Sequence, residues 1–363
     1  MRVLHVIDSG APLLREFARA RTELSFDVRA RSCRLIVDSV PGDHRICLLG
    51  GGSARRRLTE LGVSAELVVP PPLGRPGLAV AGMGRLLRMV RPDFVHVWNG
   101  RWTGGCVGRP GRAWRLESVA GATPMGLPFW LSSPRAFACG PMEHKRALDL
   151  GITPVSVEPP CLLDSERPRC ESSHDAVRVL MLGPHADARR FVFLCTLMGE
   201  IGVPVRPIVS ASSDSMRRTR HFYHLIDRPI RAVVTSRPLM SLLPTCDVAL
   251  WMGGPMGPCP ANVRSALASG VPVIVPPEAS WVIPDSLRPH LVARNTTSAE
   301  LARLVQTCAE NRRQMRDMVH RAGPFSNRAF VGEIRGFYSG RPFDTALEEP
   351  SDAGHSMLQE TSA

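Results

Sequence analysis

The chain has 363 residues, enough for two domains of ordinary size, and 44% of them are apolar, enough to fill two packed cores. Charged residues make up 21% and aromatics 6%, with only two tyrosines, which excludes a wholly disordered chain and argues against an aromatic nucleic-acid platform. The net charge is +12, from 45 basic against 33 acidic residues, and every basic residue except Lys145 is an arginine.

The arginines are spread along the chain. They suit a solvated surface or attraction to anions, with phosphorylated substrates and acidic lipid headgroups ahead of nucleic acid, which is not expected as a partner. No run reaches the roughly 20 apolar residues that span a bilayer, because arginines interrupt the best stretch, residues 77–90. The apolar run 3–7 is too short for a signal segment, so the expectation is a cytoplasmic protein, with peripheral contact at the inner face of an anionic membrane as an added partner class. The 10 cysteines contain no C-x-x-C pair and read as reduced, packed thiols, not as a disulfide frame or zinc site.

In chain order, residues 3–7 form a short apolar strand closed by Asp8-Ser9-Gly10, and a helical pattern through Leu13, Leu14, Phe17 and Ala18 follows. The unit recurs: a strand at 45–49, a turn at Gly50-Gly51-Gly52, and a helix over 54–61 stopped by Gly62. A strand at 65–69, a helix over 78–90 and a strand at 94–97 continue the alternation. Residues 159–175 hold prolines, serines and charges without apolar period, as a linker does. Beyond it come strands at 177–182, 203–209, 230–234, 248–252 and 271–275, with helices over 191–201, 239–243 and 261–269. A helical pair over 298–308 and 311–321 closes the body, and the tail from residue 340 turns polar and acidic, as disordered termini do. Strands alternating with helices at this pitch predict α/β domains with parallel sheets covered on both faces.

Open parallel sheets bind ligands off the carboxyl ends of their strands, where turns and helix N-termini offer unpaired N–H groups. Four turns qualify: Gly10, Gly50–Gly52, Gly183, and the loop from Gly253-Gly254 to Cys259. None matches G-x-G-x-x-G or the phosphate-binding G-x-x-x-x-G-K-[ST], so dinucleotide binding and simple nucleotide hydrolysis lose ground.

The order of segments carries more. Ser241-Leu242-Leu243-Pro244-Thr245-Cys246-Asp247-Val248-Ala249-Leu250, followed by Ser265-Ala266-Leu267-Ala268-Ser269-Gly270-Val271-Pro272-Val273-Ile274, resembles the helix–strand pairs "LL-x-x-x-D-V-x-L" and "E-A-M-A-S-G-V-P-V-I" of the family-4 retaining glycosyltransferases of GT-B architecture. Weaker echoes fall in the same order: Arg91-Pro92-Asp93-Phe94-Val95-His96-Val97-Trp98-Asn99 is similar to "P-D-V-V-H-x-H-N", and Val157-Glu158-Pro159-Pro160-Cys161-Leu162-Leu163-Asp164 to "V-I-P-N-G-V-D". The resemblance covers about residues 1–335 and is strong over 239–275. It implies two Rossmann-like domains facing a cleft: an acceptor domain over 1–158, a linker over 159–175, a nucleotide-sugar domain over 176–339 and a tail over 340–363.

The same resemblance implies transfer of a sugar from a nucleotide-diphosphate donor, with retention of configuration, to a glycan, lipid or small-molecule acceptor. The nucleotide sugar is a substrate; no cofactor and no metal are called for. The leaving diphosphate gains charge as its bond to the sugar breaks, so cations and helix N-termini must face it. The family supplies an arginine and a lysine in "G-R-x-x-x-x-K"; here Gly183 is followed by Pro184 in the arginine position, and Arg189 stands where the lysine would, with Arg190 beside it. The family's E-x7-E glutamates fall on Gly257 and Ser265, neither of them an acid; Asn262 and Ser265 are left to bond donor hydroxyls, and Glu278 lies beyond the next strand. His96, at the carboxyl end of a buried strand, is read as facing the cleft as the catalytic residue, with Gly10 and Asn99 on the acceptor side. The lost glutamates and Pro184 motivate a second reading, an inactive protein of the same fold that binds a nucleotide sugar or a partner.

Overall fold

Seven short apolar segments, β1 (Arg2–Asp8), β2 (Asp43–Leu49), β3 (Leu67–Val69), β4 (Phe94–Val97), β5 (Trp114–Ser118), β6 (Arg135–Ala138) and β7 (Pro154–Ser156), build one sheet in the order β3-β2-β1-β4-β5-β6-β7. Five more, β8 (Val177–Met181), β9 (Val205–Ser210), β10 (Val233–Thr235), β11 (Val248–Leu250) and β12 (Val273–Ile274), build a second in the order β10-β9-β8-β11-β12. Every strand pairing is parallel. The computed structural model describes residues 1–8, 19–69, 76–98, 114–118, 135–141, 144–145, 148, 154–163, 176–183, 188–200, 202–210, 233–235, 237–253, 258–323 and 325–339. Gly10, Asn99, Pro184, Gly257 and the tail therefore lie outside the described residues.

Both sheets share one winding. Numbered within its own half, each starts 3-2-1-4-5, the doubly wound order in which the chain reverses direction between strands 1 and 4 and leaves a crevice at their carboxyl ends. Those reversal points are β1/β4 in the first sheet and β8/β11 in the second. The helices between strands are α1 (Arg19–Ser39), α2 (Gly52–Glu60), α3 (Pro76–Val90), α4 (Ala188–Glu200), the short α5 (Leu239–Leu242) and α6 (Pro260–Ala268). After β12 come α7 (Arg288–Leu291), α8 (Ser298–Glu310), α9 (Arg312–Arg321) and α10 (Arg328–Tyr338). No described helix is long and apolar enough to cross a membrane.

The cores follow the periodicities. On β1 and β4, Leu4, Val6, Val95 and Val97 line one face of the sheet, while Val3 and Ile7 line the other with Ala30, Cys33 and Ile36 of α1. The second sheet is buried from Val179 to Val275 against α4, α6, α8 and α9. Strands β5 to β7 and helix α10 have no counterpart in the sequence-based expectation, and the residues 13–18 that suggested the first helix lie outside the described residues, α1 being described from Arg19. Helix α10 also departs from the expected domain division. Its Phe330, Ile334, Phe337 and Tyr338, spaced to share a face, are buried in the core of the first sheet, so the chain returns to the N-terminal half after completing the second. Burying each such side chain stabilises by about 2 kcal/mol, enough to hold the crossover in place.

Two passes of the chain cross between the halves side by side. Asn327 clamps the Cys161 backbone, accepting from its N–H at 2.7 Å and donating to its carbonyl at 2.8 Å. Arg31 of α1 reaches the Leu162 carbonyl at 3.2 Å, and Arg264 of α6 pairs with Glu158.

Candidate functional site

At the β8/β11 reversal point the second sheet presents open backbone. Strand β8 runs out through the buried Leu182 and Gly183, the Leu182 amide donating to the Leu250 carbonyl at 2.9 Å. Strand β11 runs out through Trp251 and Met252 to Gly253, whose φ of +95° favours glycine and turns the chain away from the strand line. Helix α6 then starts with Cys259 as its N-cap and Pro260 in its first turn; the Cys259 side chain makes no capping hydrogen bond, while the Asn262 amide donates to the Cys259 carbonyl at 3.1 Å, and the positive end of the helix dipole faces this edge. Asn262, in that first turn, is 2% exposed, and its Oδ1 has no hydrogen-bond partner among the described residues. A buried amide oxygen without a donor costs about 1–3 kcal/mol, a penalty that a bound hydroxyl or N–H removes.

Helix α4 opens the same edge from the other side. Arg189 and Arg190 fall in its first turn; Arg190 is exposed, while the Arg189 side chain is outside the description. The two halves meet above this edge at Gly140, just after β6. A Cβ placed there would sit 2.8 Å from the Trp281 ring and 3.3 Å from Pro260 at the start of α6. Only a glycine lets the indole lie against that backbone. Trp281 was not singled out by its sequence context, because only the fold brings it to Gly140.

Ser265 is placed differently from the sequence expectation. Its hydroxyl is fully buried, donates to the Ala261 carbonyl at 2.6 Å and accepts from the Leu162 N–H at 2.8 Å. The helical repeat turns it toward the interdomain crossing, four residues along from Ala261, so it pins the linker instead of facing a ligand.

On the face of the first sheet beneath β1 and β4, most of the described polar side chains are bonded to one another. Register pairs His5 with His96, and both rings lie on the face that α1 and α10 cover. Trp98, a pure donor, gives its Nε1–H to His5 Nδ1 at 3.1 Å; neutral His5 must then carry its proton on Nε2, which faces His44 Nδ1 at 2.9 Å. His44 in turn carries its proton on Nε2 and donates to the Val40 carbonyl at 2.8 Å. This one-way chain exists only with both imidazoles neutral. His96 Nδ1 meets the Tyr338 hydroxyl at 2.6 Å, its ring stacks on Trp98 with centroids 4.0 Å apart, and its Nε2 is buried without a partner among the described residues.

Burial is the main cause of depressed basicity in all three, lowering His5 well below 6.5, His44 less so, and His96 to about 3. Contrary to the expectation from its strand-end position, His96 does not face a cleft. It is 0% exposed because the returning Tyr338 and the Trp98 indole close over it, an arrangement that no local pattern announces.

No protein-family model matches the sequence, and no curated protein sequence matches it. Solved structures match its fold along nearly the whole chain. HepE from Anabaena, in a structure with UDP-glucose, has a TM-score of 0.67 at 13% identity, with 94% of this chain and 98% of that chain covered. A glycosyltransferase from Rickettsia africae gives 0.62 at 11% identity over 95% and 99%. The UDP-GlcNAc 2-epimerase from Neisseria meningitidis bound to UDP-GlcNAc gives 0.58 at 11% identity over 93% and 100%. At such identities the likeness speaks for the fold: the chain is an α/β protein of GT-B architecture, with two Rossmann-like domains.

Proposed function

We propose that the chain is a glycosyltransferase that takes its sugar from a nucleotide diphosphate held at the β8/β11 edge. The observation that carries the reading is the uncapped start of α6 with the unpartnered Asn262 Oδ1 beside it, at the reversal point of a sheet whose fold is shared with proteins solved with UDP-glucose and UDP-GlcNAc. The diphosphate lies across Gly183 and the first turn of α4, where Arg189 and Arg190 and the helix dipole offset the charge that develops on leaving. Asn262 takes a hydroxyl or N–H of the donor. Ser265 contributes by fixing α6 to the linker. The acceptor approaches from the N-terminal half, where Gly10 and Asn99 stand on the acceptor side.

Transfer proceeds with retention. The glycosidic carbon–oxygen bond to the diphosphate breaks, the acceptor hydroxyl bonds to the same face of that carbon, and its proton passes to the departing phosphate oxygen. His96 is neutral and enclosed and takes no proton in this scheme. Peripheral contact with an anionic membrane, through exposed arginines such as Arg55 and Arg56, would deliver a lipid acceptor; salt-sensitive liposome sedimentation tests it.

Calorimetric titration with UDP-, GDP- and ADP-glucose, followed by a transfer assay with labelled donor, tests the reading. Micromolar binding to at least one donor, abolished in the double variant R189A/R190A, is expected. The missing acids at Gly257 and Ser265 favour one alternative, an inactive nucleotide-sugar-binding protein of the same fold. Binding with no transfer to any glycan or lipid acceptor would favour that alternative.

A further inference from the structure

A carboxylate stands at the β8/β11 crevice that spacing in the sequence does not place there. Glu278 follows β12 in the 3-10 turn Pro277–Val282, three residues before Trp281. Its Oε1 lies over the exit of β11, 3.0 Å from where a Cβ on Gly253 would stand. Among the described residues it has no ion pair or hydrogen bond, and its side chain is exposed, although basic residues outnumber acidic ones in the chain and acids such as Asp27, Glu66 and Asp247 are paired with arginines. The same crevice holds the N-terminus of α6, whose N-cap side chain makes no hydrogen bond, with the buried Asn262 Oδ1 unpartnered among the described residues in its first turn. A helix N-terminus attracts phosphate, whereas a carboxylate repels phosphate and, as a pure acceptor with two oxygens, holds a pair of hydroxyls. A ligand that satisfies both must carry anionic phosphate at one end and neighbouring hydroxyls at the other.

We infer that Glu278 is the diol-binding carboxylate of the donor site, accepting two adjacent hydroxyls of a nucleotide sugar and standing in for the acid that Gly257 and Ser265 do not provide. Gly253 is part of the device, since a side chain at that position would occupy the space of the carboxylate. The inference rests on the donor-site reading above. The diol belongs either to the ribose or to the transferred hexose, which carry the same chemistry.

The full-length protein and its variants E278Q and E278A are titrated calorimetrically with UDP, GDP and ADP and with the glucose ester of each. Because the side chain is exposed, the variants melt with the wild type. Charged hydrogen bonds of this kind predict a loss of affinity of roughly tenfold or more. A loss for diphosphate and glucose ester alike assigns the ribose; a loss confined to the glucose ester assigns the hexose; either supports the inference. Wild-type binding that both variants retain undiminished overturns the role of Glu278 and leaves the donor site standing. Wild-type protein that binds none of the six overturns the donor site and this inference with it.

Discussion

The two sheets share one winding order, yet the described polar groups on the face of the first and at the β8/β11 edge of the second are held in opposite ways. In the N-terminal half, His5, His44 and Trp98 form a closed donor-to-acceptor chain, and Tyr338 returns from the far end of the sequence to seal His96. In the C-terminal half the Cys259 side chain makes no cap at the start of α6, and among the described residues Asn262 Oδ1 is buried without a partner and Glu278 is exposed without one. Among the described residues His96 Nε2 also lacks a partner, but it faces a stack of rings and not a helix terminus. The contrast teaches that polar residues at a strand end are no sign of a site until their partners are known; the informative group is the buried one that the protein itself leaves unmatched.

Four experiments sharpen or break this contrast. The largest effect is expected from Tyr338→Ala, which removes a phenol 4% exposed and the hydrogen-bond partner of His96: about 3–5 kcal/mol of stability in denaturant unfolding, comparable to other large-to-small core changes. A loss under 1 kcal/mol would mean that α10 does not hold the N-terminal core. Next is acid. Because the folded pKa values of His5, His44 and His96 are depressed, the unfolded chain takes up protons below pH 6.5 that the folded chain refuses, so stability is fully present above that pH and falls on acidification. Each fully buried histidine contributes a slope of about 1.4 kcal/mol per pH unit between pH 6.5 and 5. His96→Phe should flatten the slope, and an unchanged slope would show that the ring is not held neutral.

Ser265→Ala comes third. It leaves the Leu162 amide without its acceptor and should cost about 1–3 kcal/mol while leaving nucleotide-sugar affinity unchanged; the reverse pattern would return Ser265 to the donor site. The smallest stability effect is expected from Asn262→Ala, under about 1 kcal/mol because its Oδ1 has no partner among the described residues, with a loss of roughly tenfold in donor affinity. A large loss of stability with affinity intact would make Asn262 structural.

Much of the alternation was legible in the sequence. Runs such as 177–182 and 248–252 are bounded by turns and lie within one or two residues of β8 and β11, because a strand buried on both faces needs an unbroken apolar run. Strands β5 to β7 were not legible: Trp114-Arg115-Leu116-Glu117-Ser118 carries charge inside the strand, and Pro154–Ser156 is three residues long. The face of α10 shows a helical period, but nothing local says which half it joins. The candidate site was legible only as a set of turns, Gly183 and Gly253 among them, and not in the orientation of its side chains. His96 and Ser265 sit at strand and helix positions that suit a ligand, and each is turned inward by an element far away in sequence, Tyr338 for one and Leu162 for the other. Glu278 was visible as a residue, but only the register of β11 and β12 brings its carboxylate to Gly253.

The central claim is that the ligand lies at the C-terminal half's crevice. Hydrogen–deuterium exchange of the full-length protein, with and without a saturating nucleotide sugar, tests it most directly. Slowed exchange is predicted in peptides covering Gly183, the start of α6 and residues 276–281, with the β1 and β4 peptides unchanged. Protection confined to β1 and β4, or binding without protection at the start of α6, would contradict it.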